Sequence, residues 1–533
     1  MNGTTETDVL IIGDGPVGQT LGILLARQGW PVTVVDKWPA AFSISRAVAF
    51  DSEAARILCT AGIRDFVADD TEPSGTYCWE NAAGETLLRI EGNQRGWCHW
   101  PDSTSMFQPG LEAALAQRGT ELPSLRVLRG HEAVDIVEHD SHVDVDIVNQ
   151  RQERQTISAR WVIGCDGANS FVRQRIGTEM QDLRFSHDWL ICDVVLDDPH
   201  PFEPNNLQVC DPDRPRTAAS AGPGHRRWEF MRVGGESVED LDTPESAWRL
   251  LALFDVTPDN ATLLRHAVYT FRARWADQWR RNRLLIAGDA AHLMPPFAGQ
   301  GMCSGIRDAA NLAWKLDLVL RGQADDTLLD TYEQERRAHV PHAVKMSVDL
   351  GKVICQLDPK AARDRDMVMG AARKRGVGAG KADAPVHPLK TGLLQTDRDG
   401  VAPRWPAGDL SPQGRVSGEG RTDLFDDVVG RGFTLITTVD PAELLDADSV
   451  DFLTGIGGHV VQVLPAGSED HDRAGTVVDV DDVYLPYLAD KGARAMLVRP
   501  DMYVFGAARD RADCVALVND MRERTFAKES VAV

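Results

Sequence analysis

Short apolar runs alternate with helical patterns along the first part of the chain, to about residue 180. Val9–Ile12 is an apolar run that leads into an Ala- and Leu-rich stretch, and Val32–Val35 is the next apolar run. Runs of this length, bounded by turn residues, are typical of strands, and the stretch between them has the spacing of a helix. This alternation predicts an α/β fold.

The pattern changes twice further along the chain. Between about Asp182 and Trp279, short strands such as Trp189–Leu196 alternate apolar and polar residues, which predicts a mixed or antiparallel sheet with one covered face. A later segment is rich in Lys, Arg, Asp, Gly and Pro with weak periodicity, which predicts a long connector. The predicted segments are the first part of an α/β domain (1–181), an inserted β-sheet domain (182–281), the second part of the α/β domain (282–355), the connector (356–420) and a C-terminal domain (421–533).

Composition and charge narrow the class of protein. With 533 residues, of which 43% are hydrophobic and 26% charged, the chain has the make-up of a globular protein with several domains. Its net charge of −23 argues against a nucleic-acid surface and against binding to anionic membranes. The sequence has no apolar run long enough to span a bilayer. Its nine cysteines lack paired spacing, which favours a reducing cytoplasm and argues against a metal site.

A glycine-rich turn follows the first apolar run. Gly13–Gly18 has the spacing Gly-x-Gly-x-x-Gly, in which the glycines allow a tight turn, close approach of a diphosphate and close packing of helix on strand. The free amides at the helix start then face the two phosphates. The second apolar run ends in Asp36, where an acid can accept hydrogen bonds from a ribose hydroxyl. Together these features predict a Rossmann-like dinucleotide site.

A distant segment decides between nicotinamide and flavin dinucleotides. The strand-like run Arg283–Ala287 is followed by Gly288-Asp289 and then by the Gly299-Gln300-Gly301 turn. A carboxylate at Asp289 can hold a ribitol hydroxyl, and the amides that follow can meet the edge of an isoalloxazine ring. In the same region, we expect His292 to support its loop rather than to transfer protons.

These two motifs, with Asp166-Gly167 between them, resemble those of the group A flavin monooxygenases, the FAD aromatic hydroxylases typified by p-hydroxybenzoate hydroxylase. Cys210–Pro215 and Arg226–Met231 are similar to the branch of 3-(3-hydroxyphenyl)propionate hydroxylases and aromatic polyketide hydroxylases. The resemblance implies FAD as the cofactor and NADPH or NADH as a transient co-substrate. It also implies that the cofactor is bound by Gly13, Gly15, Pro16, Val17, Gly18, Asp36, Lys37, Arg46, Gln108, Asp166, Gly288, Asp289, Pro296, Gly299, Gly301, Met302 and Cys303.

The resemblance further implies which residues surround the reacting ring. Pro295 and Pro296 shape the oxygen pocket, and Arg226, Tyr269 and Phe297 contact the substrate. Arg227 is an alternative to Arg226 at this position, and the commoner role for Arg226, Arg227 or Tyr269 is that of an ordinary strand-face residue. No side chain is predicted as the catalytic base.

Four other positions have a functional and a structural interpretation. Arg46 belongs to the loop Phe42–Ala47 and is either a cofactor contact or a solvated arginine. Gln108 is either a flavin contact or a buried glutamine satisfied by backbone. Asp308 and Asn311 lie in the early turns of a helix, where they either support the cofactor from behind or serve ordinary helix electrostatics.

The implied activity is hydroxylation of a phenolic ring by O2 through a flavin C4a-hydroperoxide, with the protein positioning the reactants and excluding water. One alternative is tailoring of a polycyclic aromatic polyketide by hydroxylation, Baeyer–Villiger insertion or rearrangement. Another is an inactive FAD-binding assembly protein. The C-terminal segment resembles the thioredoxin-like tail of phenol hydroxylases, but it holds only Cys514 and so lacks a reactive pair. We therefore expect it to serve packing or homodimer formation.

Overall fold

The chain divides into two compact units. The computed structural model describes residues 5–40, 46–92, 95–198, 200–376, 379–381, 387–397, 400, 402–468 and 473–526. The first unit spans Met1–Gly96, Trp100–Ala309 and Val340–Ala384, and the second spans Trp97–His99, Ala310–His339 and Pro385–Val533. Within the described ranges, no helix is long and apolar enough to cross a bilayer.

The strands that precede the two distant motifs lie in one sheet of the first unit. Numbered along the chain, the strands of this sheet are β1 (Thr5–Ile12), β2 (Val32–Asp36), β8 (Leu125–Arg129), β9 (His131–Glu138), β10 (Val143–Asn149), β11 (Arg154–Gly164), β17 (Arg280–Arg281) and β18 (Leu284–Ile286). Their order is β17-β18-β11-β1-β2-β8, with β10 and β9 continuing from β11. Because β1 and β18 both pair in parallel with β11, the glycine-rich turn and Gly288 emerge from the same edge of the sheet.

Helices and a small antiparallel sheet accompany this layer. The small sheet has the order β3-β7-β4, formed by β3 (Ala49–Asp51), β4 (Thr71–Pro73) and β7 (Ser103–Met106). The helices up to the middle of the chain are α1 (Pro16–Ala26), α2 (Ser52–Ala61), α3 (Arg64–Asp69), α4 (Gln108–Thr120), α5 (Phe171–Ile176), α6 (Val238–Leu241) and α7 (Pro244–Leu251). They are followed by the long helices α8 (Gly301–Leu320) and α9 (Leu328–Ile354), and by α10 (Pro359–Lys374).

The middle layer of the first unit is a second, mixed sheet. Its strands are β5 (Thr76–Asn81), β6 (Thr86–Glu91), β12 (Met180–Leu196), β13 (Asn206–Cys210), β14 (Arg216–Ser220), β15 (Arg226–Met231), β16 (Ala261–Ala276), β19 (His292–Leu293) and β20 (Ala379–Lys381). Their order is β19-β16-β12-β15-β14-β13-β5-β6-β20. The hairpin β5-β6 comes from the segment predicted as α/β, and it joins this sheet through parallel pairing of β5 with β13.

The two faces of the middle sheet differ in polarity. On β12 and β15, the residues Cys192, Val194, Trp228 and Phe230 share a buried cluster with residues of α7 such as Leu250. Side chains alternate along a strand, so the residues between them face the opposite way. That opposite face carries more polar side chains and lies toward the sheet that contains β1 and β18.

The C-terminal part of the second unit is a thioredoxin-like domain, as predicted. Its strands are β21 (Arg415–Gly418), β22 (Arg421–Leu424), β23 (Thr434–Thr437), β24 (His459–Leu464), β25 (Thr476–Asp479), β26 (Ala495–Val498) and β27 (Val504–Ala508), in the order β22-β21-β25-β24-β23-β26-β27. Its helices are α11 (Phe425–Val428), α12 (Pro441–Leu444), α13 (Ala447–Gly455), α14 (Tyr484–Asp490) and α15 (Arg511–Thr525). β23 runs parallel to β24 and antiparallel to β26, and the sheet has an apolar cluster on each face.

The segment predicted as a connector contains regular structure. Helix α10 occupies 16 of its residues and begins at Pro359, with Asp358 accepting a hydrogen bond from the Ala361 amide as the N-cap. Seven of its 16 residues are charged and, in this fully described helix, Ala362 is the one buried residue, so the apolar periodicity that reveals most helices is weak here. The capping residue and the proline were the available signals.

Candidate functional site

The glycine-rich turn is built so that two of its three glycines cannot be replaced. Gly13 has a φ of 108°, and a Cβ on it would overlap the Cys165 carbonyl oxygen. A Cβ on Gly18 would overlap the Gly13 carbonyl. At Gly15 a Cβ would meet no atom within 4 Å, so the turn is open on that side. Pro16 begins α1, and within the described residues no side chain caps that helix, so its first amides remain available to an anion.

Acidic side chains surround the turn. Asp36, at the end of β2, accepts hydrogen bonds from the amides of Asp14 (2.8 Å) and Trp38 (2.8 Å), and Lys37 beside it is exposed. Asp14 is buried and lies 2.5 Å from Arg129 Nη2. Burial raises the pKa of Asp14 to about 7, although the Arg129 guanidinium opposes this shift. The turn therefore holds a carboxyl group that is largely protonated below neutral pH.

The second motif forms a short 3₁₀ turn, Gly288–Ala290, directly after β18. Asp308 of α8 holds this turn: its Oδ2 accepts hydrogen bonds from the Gly288 amide (2.9 Å) and from His292 Nε2 (2.7 Å). Both side chains are fully buried. His292 therefore supports the loop, as predicted, and Asp308 fixes the backbone that presents Asp289.

Close packing joins the two motifs. A Cβ built on Gly305 of α8 would lie 2.5 Å from Val17 Cγ2 and 3.1 Å from Gly288 Cα. A Cβ on Gly288 would likewise lie 3.1 Å from Val17 Cγ2. The start of α1, the Gly288 turn and the first part of α8 thus meet around one valine side chain, and the predicted cofactor residues of both motifs share one site.

Arg46 and Gln108 lie beside Asp289. Arg46 Nη1 is 3.2 Å from Asp289 Oδ2, and both side chains are partly exposed. Gln108 Oε1 accepts hydrogen bonds from the amides of Arg46 (2.7 Å) and Ala47 (2.8 Å), and its Nε2 donates to Glu112. This is the alternative interpretation of Gln108, a buried glutamine satisfied by backbone, and its contact with the cofactor stays a prediction. The rest of the predicted loop, residues 42–45, lies outside the described residues.

Asp166 of the central motif caps a helix. Its Oδ2 accepts hydrogen bonds from the amides of Phe171 (2.7 Å) and Val172 (3.1 Å) at the start of α5. Arg173 of the same helix donates to the Ala290 carbonyl (2.9 Å), which ties the central motif to the Gly288 turn. Asp166 thus has a structural role in the site, and its direct contact with the cofactor stays a prediction.

An ionic cluster that the sequence did not reveal holds the loop Pro295–Cys303. Arg307 of α8 binds Glu53 (2.6 Å) and Asp51 (2.5 Å) at the start of α2, and its Nη1 donates to Gln300 Oε1 (3.0 Å). Burial alone would raise the pKa of Asp51, but Arg307 and the Ala54 amide hold it below its usual range. Gly299, Gly301 and Met302 lie in the segment fixed in this way, and Cys303 donates a weak hydrogen bond to the Gly299 carbonyl.

Aromatic side chains of the middle sheet contact this loop. The Phe297 ring lies in the 3₁₀ turn Pro296–Ala298, with its centroid 5.7 Å from Trp189 and 5.9 Å from Phe271. Tyr269 is on the same sheet face, where it pairs with Trp189 in the strand register. The predicted substrate residues Phe297 and Tyr269 are therefore brought to the same face of the middle sheet, next to the predicted oxygen pocket at Pro295 and Pro296. We call this face, which carries Trp189, Tyr269 and Phe271, the chamber face, and the region between it and Phe297 the chamber.

Arg226 is not brought to that chamber, and its prediction is corrected. It lies on the α7 face with Trp228, donates to the Asn205 side chain (2.9 Å) and stacks 3.7 Å from the Phe202 ring centroid. Burial lowers the pKa of Arg226 to about 10. Because side chains alternate along β15, its neighbour Arg227 is the arginine that faces the chamber.

A carboxylate near the C-terminal end of β12 anchors two arginines on the chamber face. Asp193 binds Arg227 (2.7 Å) from β15 and Arg265 (2.6 Å) from β16. Arg227 also donates to the Arg46 carbonyl (2.9 Å), and Arg265 donates to the Tyr269 hydroxyl (3.1 Å). The sequence signal is an acid on the same strand face as Trp189 and Ile191 within the otherwise apolar run Trp189–Leu196.

Asn311 has a different environment from Asp308. Its amide donates to Glu335 (2.7 Å) and Asp501 (2.8 Å), both in the second unit. We therefore assign Asn311 a structural role in that unit.

The first-unit residues fit FAD. The open side of Gly15 and the amides of α1 fit a diphosphate, Asp36 fits a ribose, and the Asp289 carboxylate is 38% exposed at the start of a backbone turn. The start of α8 offers further amides beside it. FAD is the cofactor that this arrangement binds.

Comparison with known proteins agrees with this geometry. The model of the FAD binding domain family matches residues 6–347, and that of the HcaD C-terminal domain matches residues 408–524. The chain is 39% identical over 525 residues to a probable NADH-specific resorcinol 4-hydroxylase of Rhodococcus jostii (strain RHA1), covering 97% of this chain and 95% of that one.

Two further similarities extend over most of the chain. A 3-(3-hydroxy-phenyl)propionate/3-hydroxycinnamic acid hydroxylase of Escherichia coli (strain K12) is 32% identical, covering 94% of this chain and 92% of that one. The crystal structure of the flavin-dependent monooxygenase PieE with FAD and substrate superposes with a TM-score of 0.79 over 98% of this chain and 99% of that one. At 23% identity, the likeness to PieE concerns the fold.

Proposed function

The chain belongs to the FAD binding domain family of group A aromatic hydroxylases, and from this premise we propose that it hydroxylates a small phenol with NADH and O2. Resorcinol, the substrate in the name of the 39% identical relative, is the first compound to test. The arylpropionate of the 32% identical relatives and a polycyclic aromatic polyketide are the alternatives.

One observation carries the proposal. The aromatic side chains Trp189, Tyr269 and Phe271 of the middle sheet lie on the face that contacts Phe297, and Phe297 directly follows the Pro295-Pro296 pair. An aromatic ring bound against this face lies between the sheet and the Gly299–Gly301 turn. Rings of this kind stack on aromatic side chains with little ordering cost, and the surrounding protein excludes water.

Different residues of the chain bind and orient the different parts of FAD. The α1 amides and the Gly13–Gly18 turn bind the diphosphate, Asp36 the ribose, and Asp289 the ribityl chain. Arg307, with Asp51 and Glu53, keeps the loop Pro295–Cys303 in place. Bound FAD, once reduced, supplies the activation of O2. We propose Pro295 and Pro296 as the walls of the oxygen pocket.

A substrate screen tests the proposal. Purified protein is incubated with resorcinol, 3-(3-hydroxyphenyl)propionate or a tricyclic quinone, in each case first with NADH and then with NADPH. The products are identified by mass spectrometry. We expect resorcinol to accelerate NADH oxidation and to gain one oxygen atom. Hydrogen peroxide as the only oxidised product with every ligand contradicts the proposal. A yellow protein that consumes no NADH or NADPH with any of these ligands supports the inactive FAD-binding assembly protein instead.

Three finer expectations also stay predictions. A homodimer is checked by light scattering during size-exclusion chromatography, and a cytoplasmic location by fractionation of the source cells. Limited proteolysis checks the predicted segment boundaries at residues 181, 281, 355 and 420.

A further inference from the structure

Glu229 lies on the chamber face of the middle sheet. In β15, the side chains of Arg226, Trp228 and Phe230 face α7, so those of Arg227, Glu229 and Met231 face the other way. Glu229 is opposite Ile191 in the register of β12. It is half-buried and occupies the centre of the sheet rather than its edge.

Two rows of side chains flank Glu229. The row on one side is aromatic and apolar, and the row on the other is ionic. Following the registers of β15, β12 and β16, the first row is Met231, Trp189 and Tyr269, and the second is Arg227, Asp193 and Arg265. A phenol that stacks on the first row therefore has Glu229 and the ionic row beside its ring.

Glu229 remains available to a ligand. Within the described part of the chain, no side chain forms a hydrogen bond or an ion pair with its carboxylate, because Asp193 binds both Arg227 (2.7 Å) and Arg265 (2.6 Å). Burial raises the pKa of Glu229, and Arg227 partly offsets this effect. The titratable groups around it are Arg227, Asp193, Arg265, Tyr269 and, on β5, Tyr77.

We propose that Glu229 is the catalytic residue that accepts the proton of the substrate's phenolic hydroxyl, an inference that rests on the proposed function. The phenolic O–H bond breaks, an O–H bond forms on the Glu229 carboxylate, and the electron pair stays on the phenolate oxygen. The phenolate ring is the electron-rich form that oxygen transfer to an aromatic ring requires. No other reactant enters this step.

Charge balance in the chamber favours this transfer. Arg227 and Arg265 carry two positive charges, and Asp193 and ionised Glu229 carry two negative charges. When Glu229 takes the proton, the phenolate supplies the negative charge that the carboxylate loses. A half-buried site therefore undergoes no net change of charge, which avoids a desolvation cost. Arg265 donates a hydrogen bond to the Tyr269 hydroxyl (3.1 Å) and so fixes the orientation of that hydroxyl on the same face.

Turnover of resorcinol by Glu229→Gln tests the assignment, with Glu239→Gln on exposed α6 as the matched control. We expect Glu229→Gln to keep its FAD and melting temperature but to lose about 10²- to 10³-fold in kcat near neutral pH, with KM changed far less. The loss shrinks as pH rises, because solvent then removes the phenolic proton. A kcat within about 3-fold of wild type at every pH, or a loss confined to KM, overturns the assignment.

Binding of 4-nitrophenol, with NADH omitted, gives a readout that needs no turnover. In wild type the proton moves from the ligand to Glu229 within the complex. The ionised (4-nitrophenolate) fraction of the bound ligand therefore stays nearly constant from about pH 6 to about pH 8. In Glu229→Gln that fraction rises with pH as a simple titration. Equal titration curves in both proteins overturn the role of Glu229. Flat curves in wild type without hydroxylation of any phenol contradict only the proposed function.

Discussion

Asp308 contributes more to the structure of the predicted flavin site than its position in the sequence predicts. One carboxylate oxygen holds both the Gly288 amide and His292, and all of this is buried. We expect Asp308→Ala to raise the Kd of FAD about 10- to 100-fold, because each hydrogen bond to a buried charge contributes about 1.5–3 kcal/mol. Asp308→Asn keeps an acceptor for the Gly288 amide and should lose less. Fluorescence titration of FAD checks that the Kd of Asp308→Ala is higher than that of Asp308→Asn. Equal Kd values for the two variants would contradict this prediction.

Asp14 makes stability depend on pH. Its pKa lies near 7 in the folded protein against 3.8 for the ordinary group. The folded state therefore holds a proton that the unfolded state has lost, and this stabilisation is present at low pH and disappears as pH rises from about 4 to about 7. The shift corresponds to about 4 kcal/mol. We expect Asp14→Asn to flatten this decline, as measured by urea denaturation of the FAD-loaded protein at several pH values. Parallel curves for wild type and variant would refute the shift.

Single residues were predictable where a local motif names them. Gly13, Gly18 and Gly288 follow from spacing alone, because each meets a backbone constraint within a few residues of its strand. Adjacent arginines look alike in sequence, so the choice between Arg226 and Arg227 as a substrate contact is settled only by the structure, which puts Arg227 on the chamber face. The sequence signal that separates them is the alternation of the apolar residues Trp228 and Phe230, since it assigns Arg226 to the buried core face and Glu229 to the chamber face.

At the scale of elements, the closeness of α8 to α1 is a property of one glycine. A Cβ on Gly305 would meet Val17 and the Gly288 backbone, so Gly305→Ala should push the helix away from both motifs. We expect a loss of about 1–3 kcal/mol in stability and weaker FAD binding. Gly370→Ala in α10, where a Cβ meets no atom within 4 Å, should instead stabilise by about 0.4–1 kcal/mol. Calorimetry of both variants checks the opposite signs.

Elements were predictable where their period is strong. β1, β2 and β18 were recognised from apolar runs, and the inserted sheet from alternation. The place of the hairpin β5-β6 in the middle sheet is not predictable, because its partner β13 lies more than a hundred residues away and the period of a strand says nothing about its partner. Helix α10 is hard to predict because it buries little, with exposed apolar residues such as Met367 and Val368 among its seven charged ones, so no apolar face stands out.

At the scale of the molecule, a buried ionic cluster holds the second unit together. Glu335 of α9 binds Lys315 (2.8 Å) and Arg499 (2.7 Å), and all three side chains are fully buried. Glu335→Gln leaves both cations without this carboxylate and should cost about 3–5 kcal/mol. Glu443→Gln, which breaks a surface pair with Arg494, should cost at most about 1 kcal/mol.

The pH dependence of the Glu335→Gln variant is a further check. Burial lowers the pKa of Lys315 to about 8 already in wild type. Without Glu335 this lysine loses its proton more readily in the folded state than in the unfolded state, so stability rises with pH. Urea denaturation at about pH 6 and about pH 9 should therefore show the larger loss at the lower pH. A loss that is equal at both values, or larger at the higher one, would contradict this account.

The second unit is built from three separate parts of the sequence, so it cannot fold until the last of them has been synthesised. Trp97–His99 and the stretch Ala310–His339 leave the ribosome long before the strands that cover them, and Trp314 and Leu318 finally share a core with Leu497, Phe505 and Leu517. Until the last strands emerge from the ribosome, the apolar side chains of Trp314 and Leu318 lack the residues that bury them in the folded protein. Messages truncated near their 3′ end should therefore yield aggregates or chaperone-bound polypeptide, even though every predicted flavin-binding residue has already been translated.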